Sequence, residues 1–163
     1  MNGEFYWALG GAAIGAIVVA IAGGVLTVTG EWYHRLNFPG WKPPDWAFGP
    51  VWTTILVLAV VATAYAWDAA PDSGTQHIIL MALIINAGLN ILWNAIFFAM
   101  KRPDLALIEV VFLWLSILAL VLLFAEVSTL AAILMLPYLV WVGIASALNL
   151  AIVRLNPPFR RIG

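Results

Sequence analysis

The 163-residue sequence has no cysteine, which excludes disulfides and thiolate metal ligands. Charge is scarce: seven Lys and Arg and eight Asp and Glu make up 9% of the chain, with a net charge of −1. No basic patch interleaved with polar residues exists, so nucleic acid is not an expected partner. There is no serine with a base partner, no carboxylate pair and no Gly-rich phosphate loop, so side-chain acid–base catalysis has no evident machinery and no catalytic residue of that kind is assigned.

What remains is overwhelmingly apolar, at 64% of residues. A soluble domain of this length could not bury that much apolar surface, so the solvent is lipid. Apolar runs at roughly Trp7–Val28, Trp46–Trp67, His77–Met100, Leu105–Phe124 and Thr129–Val153 are each near the ~20 residues that cross a bilayer core. Turn chemistry separates them: Gly30, the Pro39–Pro44 stretch, Pro71-Asp72-Ser73-Gly74 and Arg102-Pro103-Asp104. Ser128 and Thr129 are the expected caps of the last helix. Only Glu4 precedes the first run as a charged residue, which reads as a retained span rather than a signal peptide. The expected fold is all-α, a single five-helix transmembrane bundle over residues 1–163.

Five spans place Arg35, Lys42, Lys101, Arg102, Arg154, Arg160 and Arg161 on one side and no basic residue on the other. That split predicts an N-terminus outside and a cytoplasmic C-terminus. Pro50 and Pro137 fall within spans, where each removes an N–H and predicts a local kink, either as plain curvature or as widening of an internal cavity.

The segment 31–52, EWYHRLNFPGWKPPDWAFGPVW, concentrates four of nine Trp and four of nine Pro at a membrane surface. Indole suits that boundary because its ring is apolar and its N–H needs a partner. Trp32, Trp41, Trp46 and Phe48 are read as a lid or wall over a site for a flat, apolar ligand, with Trp52 as a further wall. On the third span, Asn86, Asn90 and Asn94 recur every four residues with Trp93 and Phe97 beside them. The fifth repeats the pattern with Trp141, Ala145 and Asn149, flanked by Tyr138 and Leu148. Amides facing lipid are costly, so these groups should point inward, either bonding helix to helix or orienting a ligand. Glu109 is expected to snorkel towards Lys101 or Arg102. His34 and His77 fall on opposite faces and cannot share a metal, so no metal site is expected. Gly11-x-x-x-Gly15 on the first span permits close helix approach, within the bundle or between two chains.

Trp32-Tyr33, Pro39-x-Trp41-x-Pro43-Pro44-x-Trp46 and Gly49-Pro50-Val51-Trp52 together resemble the first-loop and second-helix signature of the TspO/MBR (translocator protein, peripheral-type benzodiazepine receptor) family, in its bacterial form. Asn90-x-x-Trp93 with Phe97-Phe98 resembles its third helix, and Pro137-Tyr138-Leu139-x-Trp141, Leu148-Asn149 and Arg154 its fifth. The resemblance spans nearly the whole chain. It implies a five-helix, dimeric bundle that binds tetrapyrroles such as protoporphyrin IX and acts in porphyrin sensing, transport or regulation. Trp52 and Trp141 would be the indoles tied to porphyrin binding and to its light-driven breakdown. Asn90, Trp93, Ala145 and Leu148 would line a pocket closed by the first loop. Porphyrin is then a ligand rather than a required cofactor, and the lipid bilayer and a second copy of the chain are the other partners. Leu150 stands where relatives carry an aromatic, which argues against sterol binding; Leu56 and Leu105 also replace family aromatics. Porphyrin photo-degradation and a purely structural role are the alternatives. A bacterial cell membrane is the expected location, with an outer membrane as the other choice.

Overall fold

The structure, a computed structural model, describes residues 3–156 and 159. Helix α1 covers Gly3–Leu26, the single turn α2 Glu31–His34, α3 Asp45–Asp68, α4 Ser73–Asn94, α5 Pro103–Val127 and α6 Thr129–Leu155. Helix α4 continues through a π-helical turn, Ala95–Ala99. All except α2 are long and apolar enough to cross a membrane. Every backbone amide in a bilayer must find a partner inside the protein, and a continuous helix meets that demand. The chain is a multi-pass integral membrane protein.

The five spans close into a ring in the order α1, α3, α6, α5, α4 and back to α1. The antiparallel pair α5–α6 forms the most extensive contact, around Leu113, Ile117, Leu120, Met135 and Val142. Helix α1 buries the fewest residues of the five spans, Phe5 and Val19, although it packs extensively along α3.

Two boundaries move for local reasons. Helix α4 begins four residues before His77 because the Asp72 side chain accepts from Thr75 N at 2.8 Å and caps it. Helix α1 starts at Gly3 and stops at Leu26; beyond it, the Thr27 hydroxyl turns back to Gly23 O at 2.7 Å. Ser128 caps α6 through Ala131 N, whereas Thr129 is the first helical residue rather than a cap. The turn α2 breaks a segment that the sequence presented as a plain loop. The π turn, closed by Met100 N donating to Ala95 O at 2.9 Å, leads into Lys101 in the left-handed region at φ 56°.

Arg35, Lys42, Lys101, Arg102 and Arg154 gather at one end of the bundle, the end that also holds α2. Arg160 and Arg161 lie outside the described residues. Glu4, Asp68 and Glu126 mark the opposite end.

Candidate functional site

At the basic end the first loop is tied down. Asn37 N donates to Asn156 Oδ1 at 2.9 Å, and Asn156 Nδ2 donates back to Asn37 O at 3.0 Å. Lys42 pairs with Asp45 and lies over Phe38 and Tyr33, 4.2 and 5.1 Å from the ring centroids. Burial alone would pull the Lys42 ammonium's pKa down, but its bonds to Asp45 and Tyr33 outweigh that and raise it. Burial raises the Tyr33 hydroxyl's pKa, against the lowering effect of Lys42. Tyr33 and Phe97 are buried there among Trp32, Phe38, Phe48, Trp93 and Phe98. Trp93 stacks on Phe97 at 5.1 Å.

Deeper in, the polar residues join the helices. Asn90 Nδ2 donates to the Tyr138 hydroxyl at 3.0 Å, and that hydroxyl donates to Asn86 Oδ1 at 3.2 Å. Asn86 Nδ2 reaches Ser116 Oγ at 2.9 Å, so α4, α5 and α6 share one network. Trp93 Nε1 donates to Asn149 Oδ1 at 3.3 Å, and Asn149 Nδ2 donates to Pro103 O at 2.8 Å. Asn86, Asn90, Asn94 and Asn149 are all buried, as the cost of an amide facing lipid requires.

A cavity of about 380 Å³ lies between α1, α3, α4 and α6. Its α1 wall is small: Ala8, Gly11, Ala12, Gly15 and Ala16. Trp67, Leu56 and Thr63 face it from α3, and Asn86, Asn90 and Tyr138 give it a polar patch at mid-bundle. Glu4 and Trp7 stand at its outer end. These positions occupy the half of the bundle away from the first loop. The small-residue stripe thus forms one wall of this space while α1 also packs closely along α3. A second, shallower groove between α3 and α6 brings Pro50, Pro137 and Trp141 together.

Of the aromatic and amide residues read from the sequence as facing a ligand, Asn86, Asn90 and Tyr138 line the main cavity, with Gly11, Gly15 and Leu56 beside them. Trp32, Phe48, Trp93, Phe97 and Leu148 gather in the aromatic cluster at the basic end. Trp52 packs edge-on against Tyr138 at 6.0 Å, from outside the cavity lining, and Phe48 does the same to Trp141 at 5.6 Å. Ala145 is half-buried and Asn149 fully buried on α6. Trp41 and Trp46 are 52% and 76% exposed and do not line the cavity. The proline-stiffened loop is clasped to the end of α6, while the main cavity lies in the other half of the bundle, beside α1. Trp7, Trp67 and Thr63 were not anticipated as lining residues. The Ala and Gly spacing on α1 was the available signal.

Glu109 also departs from expectation. It does not snorkel: Arg102 is held by Asp104 through bonds of 2.8 and 2.6 Å, and Glu109 stays inside with no hydrogen-bond partner. The Trp141 Nε1–H is likewise buried without an acceptor.

The model of the TspO/MBR family matches residues 12–155. The chain is 38% identical to the "Tryptophan-rich protein TspO" of Chlorobaculum tepidum, covering 86% of this chain and 90% of that protein. It is 35% identical to the "Tryptophan-rich sensory protein" of Cereibacter sphaeroides over 92% of each. It is 30% identical to the human "Translocator protein", over 80% and 78%.

Proposed function

This chain belongs to the TspO/MBR family, and from that footing we propose that it binds a tetrapyrrole such as protoporphyrin IX as a membrane sensor or carrier. The observation that supports this most is the cavity itself. Its volume of about 380 Å³ falls in the roughly 300–1,000 Å³ range of small-molecule sites. Its lining is apolar and partly indole, with a few convergent polar atoms from Asn86, Asn90 and Tyr138 to fix orientation. A flat macrocycle with a polar rim matches that distribution. The names of relatives, a sensory protein and a translocator protein, agree with a sensing or transport role. In this reading the basic end faces the cytoplasm of a bacterial cell, and the chain works as a homodimer.

Titrating the protein in detergent or liposomes with protoporphyrin IX and following tryptophan emission tests the reading. Saturable quenching is expected, because Trp7 and Trp67 line the cavity and Trp52 lies one ring beyond it. A linear, unsaturable response would reject it.

The Trp52–Tyr138 contact favours a second reading, light- and oxygen-dependent breakdown of the porphyrin. The pair forms a ring ladder leading from the cavity into the core, along which oxidising equivalents generated by the illuminated ligand and oxygen would pass. Product formation that needs both light and oxygen, and that falls in Trp52→Leu, supports it. No modified product under illumination rejects it.

A further inference from the structure

Glu109 is the ionisable side chain that neither reading uses. It sits six residues inside α5, is 6% exposed, and both carboxyl oxygens are buried without a donor. Its position follows from the register of the bundle. Asn86 bonds Ser116 across α4 and α5. Stepping seven residues towards the basic end on each helix, nearly two full turns and so the same face, leads from Ser116 to Glu109 and from Asn86 to Trp93. On the other side, Asn149 bonds Pro103 O across α5 and α6. Six residues from that bond lie Glu109 on one helix and Gly143 on the other. Glu109 is therefore level with Trp93 and Gly143, in the half of the bundle between the cavity and the basic end.

The titratable and charged groups around it are few among the described residues. From α6, the titratable residue nearest that level is Tyr138, five residues from Gly143 along the helix. From α4, none is at that level. On α5 itself, the nearest charge is Asp104, which is engaged by Arg102. A carboxylate with no cation and no donor in a low-dielectric interior is far costlier than its protonated form. The neutral acid carries an O–H donor and leaves open acceptor capacity.

We propose that Glu109 is a membrane-buried proton-binding site, coupled through Tyr138 to the cavity. The proton is its ligand, taken up as the carboxylic acid and released to water as the carboxylate forms. Release leaves an anion in need of a donor. The Tyr138 hydroxyl, now committed to Asn86, is the nearest titratable donor on the adjoining α6. Loss of the proton therefore competes with the Asn86–Tyr138–Asn90 network that forms the polar patch of the cavity. Nothing in this inference depends on which molecule fills the cavity.

Infrared spectroscopy of the full chain in liposomes at neutral pH tests it without any cavity ligand. A protonated-carboxyl C=O band is expected in the wild type, lost in Glu109→Gln and shifted in Glu109→Asp, with Tyr138→Phe also shifting it. Reaction with a membrane-soluble carbodiimide, mapped by mass spectrometry, gives a second readout. The adduct should form at Glu109, slow by tenfold or more from neutral to strongly alkaline pH, and be absent with a water-soluble carbodiimide. A Glu109 that is ionised at neutral pH, shown by a carboxylate band lost in Glu109→Gln, overturns the site. A band that Tyr138→Phe leaves unmoved overturns the coupling.

Discussion

Asn156 holds Asn37 by a reciprocal pair of hydrogen bonds, its amide oxygen accepting from Asn37 N at 2.9 Å and its amide nitrogen donating to Asn37 O at 3.0 Å. The two residues are 119 positions apart, yet this clasp fixes the first loop on the end of α6 and leaves the far half of the bundle as the open one.

Asn156→Ala removes both bonds and a third to Ile152 O. At a net of about 0.5–1.5 kcal/mol per bond, and with the site exposed, a stability loss of about 1 kcal/mol is expected. Hydrogen exchange should show faster exchange at Asn37 and across residues 31–44, while α5 and α6 remain protected. Unchanged exchange at Asn37 would mean that aromatic packing alone holds the loop.

Tyr138→Phe leaves the Asn86 oxygen without a donor and the Asn90 amide without its acceptor. Interhelical bonds in membranes average about 0.6 kcal/mol and reach about 2, so a loss of about 1 kcal/mol is expected in a reversible unfolding assay. In a double-mutant cycle with Asn90→Leu, the two losses should be less than additive, because both substitutions break the same bond.

The Lys42 and Tyr33 pKa shifts predict how the loop responds to pH. Both folded values lie above the ordinary ones, so their stabilisation is complete below the unfolded values near about 10 and is lost as pH rises through the folded ones. Emission from the loop tryptophans should stay flat through neutral pH and change only in strongly alkaline solution. Lys42→Met should show a smaller alkaline transition.

Lys101 adopts φ 56° between the π turn and α5. Left-handed backbone costs a side-chain-bearing residue about 1–2 kcal/mol, part of which glycine recovers before its own entropy is counted. Lys101→Gly should raise stability by about 0.5 kcal/mol in thermal unfolding, and Lys101→Ala should not.

Much of this was legible in the sequence, and the limits have physical causes. Span number followed from hydropathy and from the charges that gather at one end, and the inward Asn residues followed from the cost of amides in lipid. The location of the cavity did not follow. Gly11 and Gly15 lie on a stripe that serves equally to bring helices together or to keep a wall recessed, and in the fold it borders the cavity while α1 packs on α3. The Asn37–Asn156 clasp joins residues 119 positions apart with no local signal. Trp41 and Trp46 carried a strong family pattern, yet both side chains are exposed.

The central claim is that the space against α1 receives the ligand. A side chain added at Gly11 or Gly15 would meet no atom within 4 Å at its first carbon, and both glycines line the cavity, so leucine there extends into that space. Protoporphyrin IX titration of Gly11→Leu/Gly15→Leu, read by tryptophan quenching beside the wild type, is the direct measurement. The account predicts an unchanged thermal midpoint and at least tenfold weaker binding; wild-type affinity in a folded double variant would contradict it.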